Sequence, residues 1–127
     1  GEDAFLLAAQ GYEVTLYEQN PVIAALLKDA IRRAKKNIDL KDIASRMKVT
    51  EGNSVECMSK LLDPVDVIYL DPMFPARQKS TGLFDAAIKA NPDKIIVKRP
   101  LKSECLAGRE PSYTLKGKAI RYDCYVL

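Results

Sequence analysis

Four short stretches carry residue types suited to chemistry at small spacing. Asp71-Pro72-Met73-Phe74 is the sharpest. A carboxylate followed by a proline carbonyl offers two acceptors for an exocyclic amine. An aromatic ring two residues on can stack against a nucleobase taken out of its helix. Two acceptors turn the amine nitrogen's lone pair towards an electrophile, so that positioning supplies most of the catalysis. The bland alternative is an Asp-Pro turn at a strand end. Glu18 is the second feature. An acid at that place can accept the hydroxyls of a ribose, as in dinucleotide and S-adenosylmethionine enzymes, or simply favour the start of the following helix. Asn53-Ser54 can contact an adenine edge, although Ser54 also suits a helix cap. Lys98-Arg99, with Arg77 and Lys79, can hold phosphates flanking an extruded nucleotide. Solvated surface charge is the competing reading there.

These residues need elements to bring them together. Ala4–Ala9 predicts a short helix ending near Gly11, and Tyr12–Tyr17 a strand. Asn20 and Pro21 open a helix running to about Lys36, with Ile23, Leu27, Ala30, Ile31 and Ala34 as its apolar stripe. A second helix is expected over Leu40–Met47, a strand and its exit over Val49–Asn53, and a helix over Ser54–Leu62. Val65–Leu70 is strongly β-branched and predicts a strand that stops at Asp71. A helix over Leu83–Ala90 and a strand over Lys94–Lys98 follow. Ser112–Leu127 predicts two strands turning at Lys116-Gly117-Lys118. Alternating strands and helices closed by a hairpin predict an α/β fold with a mostly parallel sheet and an antiparallel edge. In such sheets ligands bind beyond the carboxyl ends of the strands. Glu18-Gln19, Asn53-Ser54, Asp71 and Lys98-Arg99 all fall there.

A helix directly after Gly1 lacks the strand that should precede it in a βαβ unit. The expectation is therefore one domain over residues 1–127, entered inside a Gly-rich strand-to-helix turn, with its first strand missing. The junction Lys79–Gly82 is also abrupt, as though a substrate loop were absent there.

Composition excludes several classes. The chain has 127 residues, 47% hydrophobic and 29% charged, as in a globular domain. No apolar run reaches the roughly 18 residues needed to span a bilayer. Histidine is absent, which removes Ser-His-Asp and Cys-His catalysis within this chain. Three cysteines without a C-x-x-C spacing give no zinc site, so no metal is expected. Their odd number and the lack of a basic leader predict a reducing, cytoplasmic setting. Twenty basic residues against 17 acidic leave a net charge of +3. Eleven of those basic residues, and only five of the acids, follow residue 76. A basic C-terminal part facing a polyanion is expected.

Read together, Gly1–Phe5, Leu16–Val22, Tyr69–Pro75, Gln78-Lys79-Ser80, Val97–Pro100, Lys116-Gly117 and Arg121-Tyr122-Asp123 resemble the bacterial RsmJ family. Its members are Rossmann-like class I methyltransferases. They use S-adenosylmethionine to modify the 2-amino group of a guanine in small-subunit ribosomal RNA. The resemblance implies cofactor contacts at Gly1, Glu2, Asp3, Glu18, Gln19, Asn53, Ser54 and Asp71. It implies catalysis by Asp71, Pro72 and Phe74 on an RNA or assembled small-subunit substrate held by Arg77, Lys79, Lys98 and Arg99. It also implies that relatives carry extra residues between Ser80 and Thr81. Three rivals share parts of the pattern. They are an adenine 6-amino methyltransferase, a nicotinamide-dependent oxidoreductase, and a non-catalytic RNA-binding module.

Overall fold

The computed structural model describes residues 2–61, 65–71 and 77–127, with the backbone alone for residues 2 and 77–81. The chain divides into two compact units, Gly1–Cys57 and Met58–Leu127.

In the first unit, α1 (Glu2–Ala9) leads through a tight turn into β1 (Val14–Glu18). Gly11 closes that helix at φ +101°, a conformation open to glycine at little cost, and its N–H donates to the Ala8 carbonyl. No basic residue stands in the last turn of α1. Arg46 supplies one from a distance, its Nε donating to the Ala8 carbonyl at 2.8 Å. The next helix, α2 (Pro21–Ala34), is capped as expected: Asn20 Oδ1 accepts from the Val22 and Ile23 amides at 2.9 and 3.3 Å. Its buried face differs by one residue from the predicted stripe. Ala24 is buried, whereas Ile23 is 44% exposed. Leu27, Ala30, Ile31 and Ala34 then line an apolar hollow with Phe5, Leu16, Ala44, Met47 and Val49.

The second helix of this unit, α3 (Lys41–Ser45), is shorter than expected. Met47 leaves it and, with Lys48, begins β2 (Met47–Glu51). Pairing decides this, because β2 runs parallel to β1 from Val14↔Met47 to Glu18↔Glu51. Tertiary hydrogen bonds override the weak strand preference of Met-Lys. The short helix α4 (Ser54–Ser59) follows; the end predicted for it at Leu62 falls outside the described residues.

The second unit is built on β3 (Val67–Leu70), α5 (Arg77–Lys89) and β4 (Lys94–Pro100). The hairpin β5 (Tyr113–Lys116) and β6 (Ile120–Val126) completes a four-stranded sheet of order β3-β4-β6-β5. β3 and β4 are parallel, and β6 lies antiparallel to both β4 and β5. The fold is therefore mixed α/β with parallel pairs and the expected antiparallel hairpin. Phe84, Ala87, Ile95, Val97, Leu106 and Cys124 form the innermost packing. Phe84 meets Tyr125 edge-on, with ring centroids 4.8 Å apart.

α5 starts six residues before the predicted Leu83, so the junction Lys79–Gly82 lies inside a helix. Gly82 hid this, since glycine costs about 1 kcal/mol in a helix interior. The helix stops where Asn91 takes φ +57° ahead of Pro92.

Candidate active site

The first unit gathers one half of the predicted site. Because β1 and β2 are parallel and in register, both exit on the same edge. The Gly52 amide donates to the Glu18 carbonyl at 2.8 Å and fixes the two exits side by side. Glu18 Oε1 accepts from the Asn20 amide at 3.1 Å, so the carboxylate leans over the start of α2. That bond occupies one oxygen and leaves Oε2 available to a hydroxyl donor. Gln19 is exposed beside it.

The Asn53-Ser54 pair divides its roles differently from expectation. Asn53, not Ser54, caps α4. Its Oδ1 accepts from the Val55 amide at 2.8 Å and the Glu56 amide at 3.4 Å, and its carbonyl takes the first helical bond from Cys57. Ser54 is already the first helical residue. The cap must sit one residue outside the helix to present its side chain to those amides. The Asn53 side-chain nitrogen remains free to donate.

Sequence reasoning passed over the residues that shape this exit. Gly52 has φ +154°, and a Cβ there would come within 2.9 Å of Cys57 Sγ. Tyr17, one residue before Glu18, is half-buried, and burial together with Cys57 pushes its phenol up. The available signal was a glycine between a strand and a helix cap. Asp3 is half-buried in the first turn of α1, where an acid suits the helix dipole. Glu2 stands beside it with its backbone alone described, and Gly1 lies outside the described residues.

The second unit holds the remaining predicted residues. Leu70 pairs with Val97 in the parallel β3–β4 ladder, which brings Asp71 level with Lys98 at the carboxyl edge. Asp71 is exposed there. Pro72 and Phe74 lie outside the described residues. Arg77 and Lys79 occupy the first turn of α5, which holds no acid. Cations oppose the dipole at a helix start, at about 0.3–1 kcal/mol each. The same turn is suited to an anion.

Arg99 donates through Nε and Nη2 to the Glu104 carbonyl, at 3.0 and 2.9 Å. Three of its five guanidinium hydrogens remain for other acceptors. The segment after β4 is pinned from beneath. Arg121 donates to the Pro100 and Leu101 carbonyls at 3.2 and 2.9 Å. Its Nε and Nη2 hold Asp123 at 2.9 and 3.3 Å. Asp123 is fully buried and also accepts from Thr114 Oγ1 at 3.2 Å. The Asp123 carboxylate raises the already high Arg121 pKa further. Tyr125 donates to the Arg109 carbonyl at 2.8 Å, and burial, reinforced by Asp123, pushes its phenol up to about 12. This lock was legible only in part. Arg and Asp two apart on a strand share one face, but nothing in the sequence says that the face is buried.

Among the described residues, no helix is long and apolar enough to cross a membrane. No group of three His, Cys, Asp or Glu side chains among them could hold a metal ion.

The chain's parallel strands, ending in an acid, a capping amide and a second acid, follow the Rossmann-like α/β pattern. The family model described as "Putative SAM-dependent methyltransferase" matches residues 1–83 and 80–127. The chain belongs to this family of S-adenosylmethionine-dependent methyltransferases. It is 40% identical over 146 aligned positions to "Ribosomal RNA small subunit methyltransferase J" of Pseudomonas fluorescens, covering 98% of this chain and 56% of that protein. The protein of the same name from Hahella chejuensis is 42% identical, covering 100% of this chain and 55% of that one. A crystal structure of a SAM-dependent methyltransferase from Neisseria gonorrhoeae superposes with TM-score 0.92 at 38% identity, over 99% of this chain and 57% of that chain. The chain thus spans a little over half the length of the curated relatives it matches. The alignments run over more positions than the chain has residues, and the family match divides at residues 80–83. Relatives therefore carry additional residues inside the aligned region. The dividing point is the Lys79–Gly82 junction that the sequence singled out.

Proposed function

We propose that the protein of which this chain is a part methylates the 2-amino group of a guanine in small-subunit ribosomal RNA, with S-adenosylmethionine as donor. The observation that carries the reading is the roughly 40% identity, over nearly the whole chain, to proteins named for that ribosomal RNA. The residues of the first unit fit the donor. Glu18 keeps one carboxylate oxygen for a ribose hydroxyl. Asn53 keeps its amide nitrogen for an adenine acceptor while its oxygen caps α4. Glu2-Asp3 at the start of α1 and Gln19 and Ser54 at the strand exits complete the set. The bound donor supplies an electrophilic methyl group; the protein's work is to bind, orient and exclude water.

On the substrate side, Asp71 and the Pro72 carbonyl accept hydrogen bonds from the guanine amine and fix the direction of its lone pair. Phe74 stacks on the extruded base. The N–C bond would form as the donor's sulfur–methyl bond breaks, leaving that sulfur a neutral thioether, and the nitrogen would give up a proton towards Asp71, which restores its lone pair. No covalent protein intermediate is involved. Arg77 and Lys79, set at a helix start with no acid among them, and Lys98-Arg99 hold the flanking phosphates. Cytoplasmic residence follows from such a substrate.

A paired experiment on the full-length protein tests these roles. Phe74→Ala should lower methyl transfer about ten- to a hundredfold, as lost base stacking of roughly 1–3 kcal/mol implies, and leave donor affinity unchanged. Asp71→Ala should reduce both. Normal methylation by Phe74→Ala would return Asp71–Phe74 to an ordinary strand ending.

A further inference from the structure

A second basic surface lies on the first unit. Lys28, Ile31 and Arg32 of α2, its C-cap Lys35, and Met47, Lys48 and Val49 of β2 line an open groove of about 270 Å³. Four of its seven lining residues are cations and none is an acid. Its floor is apolar, provided by Ile31, Met47 and Val49. A low-dielectric floor strengthens the field of the cations above it.

The arrangement is not ordinary helix decoration. Lys28, Arg32 and Lys35 recur at i, i+4 and i+7, so like charges share one face of α2, at about 0.2–0.5 kcal/mol of repulsion per pair. The neighbouring acid, Asp29, is taken up by Arg32 and by Arg33, the latter at 2.8 Å. Lys28, Lys35 and Lys48 are exposed and make no ion pair with any described residue. The helix dipole accounts for Arg32 and Lys35 in the last turns but not for Lys28, nor for Lys48 on the strand. Lys48 precedes Glu51 by three residues, so at about 3.3 Å per residue the groove is set back about 10 Å from the edge where Glu18 lies. Lys28 and Lys35 are separated by about 10 Å of helix. The groove therefore does not belong to the donor site.

We infer that this groove is a second RNA-backbone site, holding phosphates of the ribosomal RNA apart from the donor residues. The inference rests on the proposed RNA substrate. The groove contributes affinity and register, without touching the reacting base or the donor. Three cations with no acid partner among the described residues, beside the Asp29-paired Arg32, fit a polyanion, and the apolar floor accommodates a sugar edge between phosphates.

The test uses the full-length protein and small-subunit ribosomal RNA, with affinity measured across a salt series. Lys28→Gln, Lys35→Gln and Lys48→Gln are combined. At about 0.7 per phosphate contact on single-stranded RNA, the slope of log affinity against log salt should flatten by about two. KM for RNA should rise several-fold, while kcat at saturating RNA and donor affinity stay at the parental level. Charge-neutral changes at Arg77, Lys79 and Arg99 should differ from this by lowering kcat as well. If the combined variant does not fold, Lys28→Gln and Lys48→Gln alone should each flatten the slope by about 0.7. A parental protein that methylates the RNA, with variants of unchanged slope and KM, overturns the groove and leaves the proposed function standing. Loss of binding to an acidic protein with the RNA slope unchanged also overturns it. A parental protein that neither binds nor methylates the RNA removes both readings.

Discussion

Glu18 has two carboxylate oxygens at the exit of β1. One oxygen is tied to the Asn20 amide, which holds the carboxylate in one orientation before any ligand arrives. A preorganised acceptor costs the ligand little ordering entropy. Glu18→Ala should therefore weaken S-adenosylmethionine binding to the full-length protein by about 1.5–3 kcal/mol, the value of a hydrogen bond to a charged group. Calorimetry reads this directly, and unchanged affinity would remove Glu18 from the ribose. Gly52 sets the geometry around it. Gly52→Ala puts a methyl 2.9 Å from Cys57 Sγ at φ +154°, and overpacking of this kind costs about 1–3 kcal/mol. Urea unfolding should register that loss, and adding Cys57→Ala should recover part of it. No recovery would mean that backbone strain alone is responsible. At this scale the acids and amides were legible in the sequence because strand exits in parallel sheets are restricted places. The division of labour between Asn53 and Ser54 was not, since both are good caps and a one-residue shift of the helix start decides between them.

Elements divide into those fixed locally and those fixed by partners. The α2 start was legible because Asn-Pro is a cap followed by a residue that cannot donate. The closing hairpin was legible because Gly117 sits between two alternating runs. The early start of β2 depended on β1, which no local pattern reveals. The long α5 depended on tolerance of an internal glycine. The hairpin's inner face carries its own pH response. Tyr125 is neutral and hydrogen-bonded to Arg109 in the folded state, with its pKa raised from an ordinary 10.0 to about 12. A raised folded pKa means stability that is fully present below pH 10 and lost as pH climbs towards 12. Alkaline unfolding followed by circular dichroism should show that loss, and Tyr125→Phe should make the curve flatter in this window. Identical curves for both proteins would assign the alkaline limb to other groups.

Across the whole chain, a tally of charge suggested an acidic front and a basic rear. Folding changes that picture. The helical repeat of α2 gathers Lys28, Arg32 and Lys35 on one face and β2 adds Lys48, so the acidic front holds a basic groove. A charge count over the whole front concealed it, although Lys28–Lys36 alone holds five basic residues and one acid. Asp71 and Lys98, 27 positions apart, were legible as neighbours because a parallel ladder was foreseeable on both sides. The Arg121–Asp123 lock that steadies the segment beyond Arg99 was not, because burial of a charged pair is decided by what packs over it.

The central claim is that a methyl group passes from S-adenosylmethionine to a guanine amine in small-subunit ribosomal RNA. The most direct measurement incubates the full-length protein with isotopically labelled S-adenosylmethionine and unmodified small-subunit RNA, then identifies the labelled nucleoside by mass spectrometry. The account predicts label in N2-methylguanosine, at one position, and none when NAD replaces the donor. Label in N6-methyladenosine would contradict the assignment of the base, and no label in RNA of any kind would contradict the activity itself.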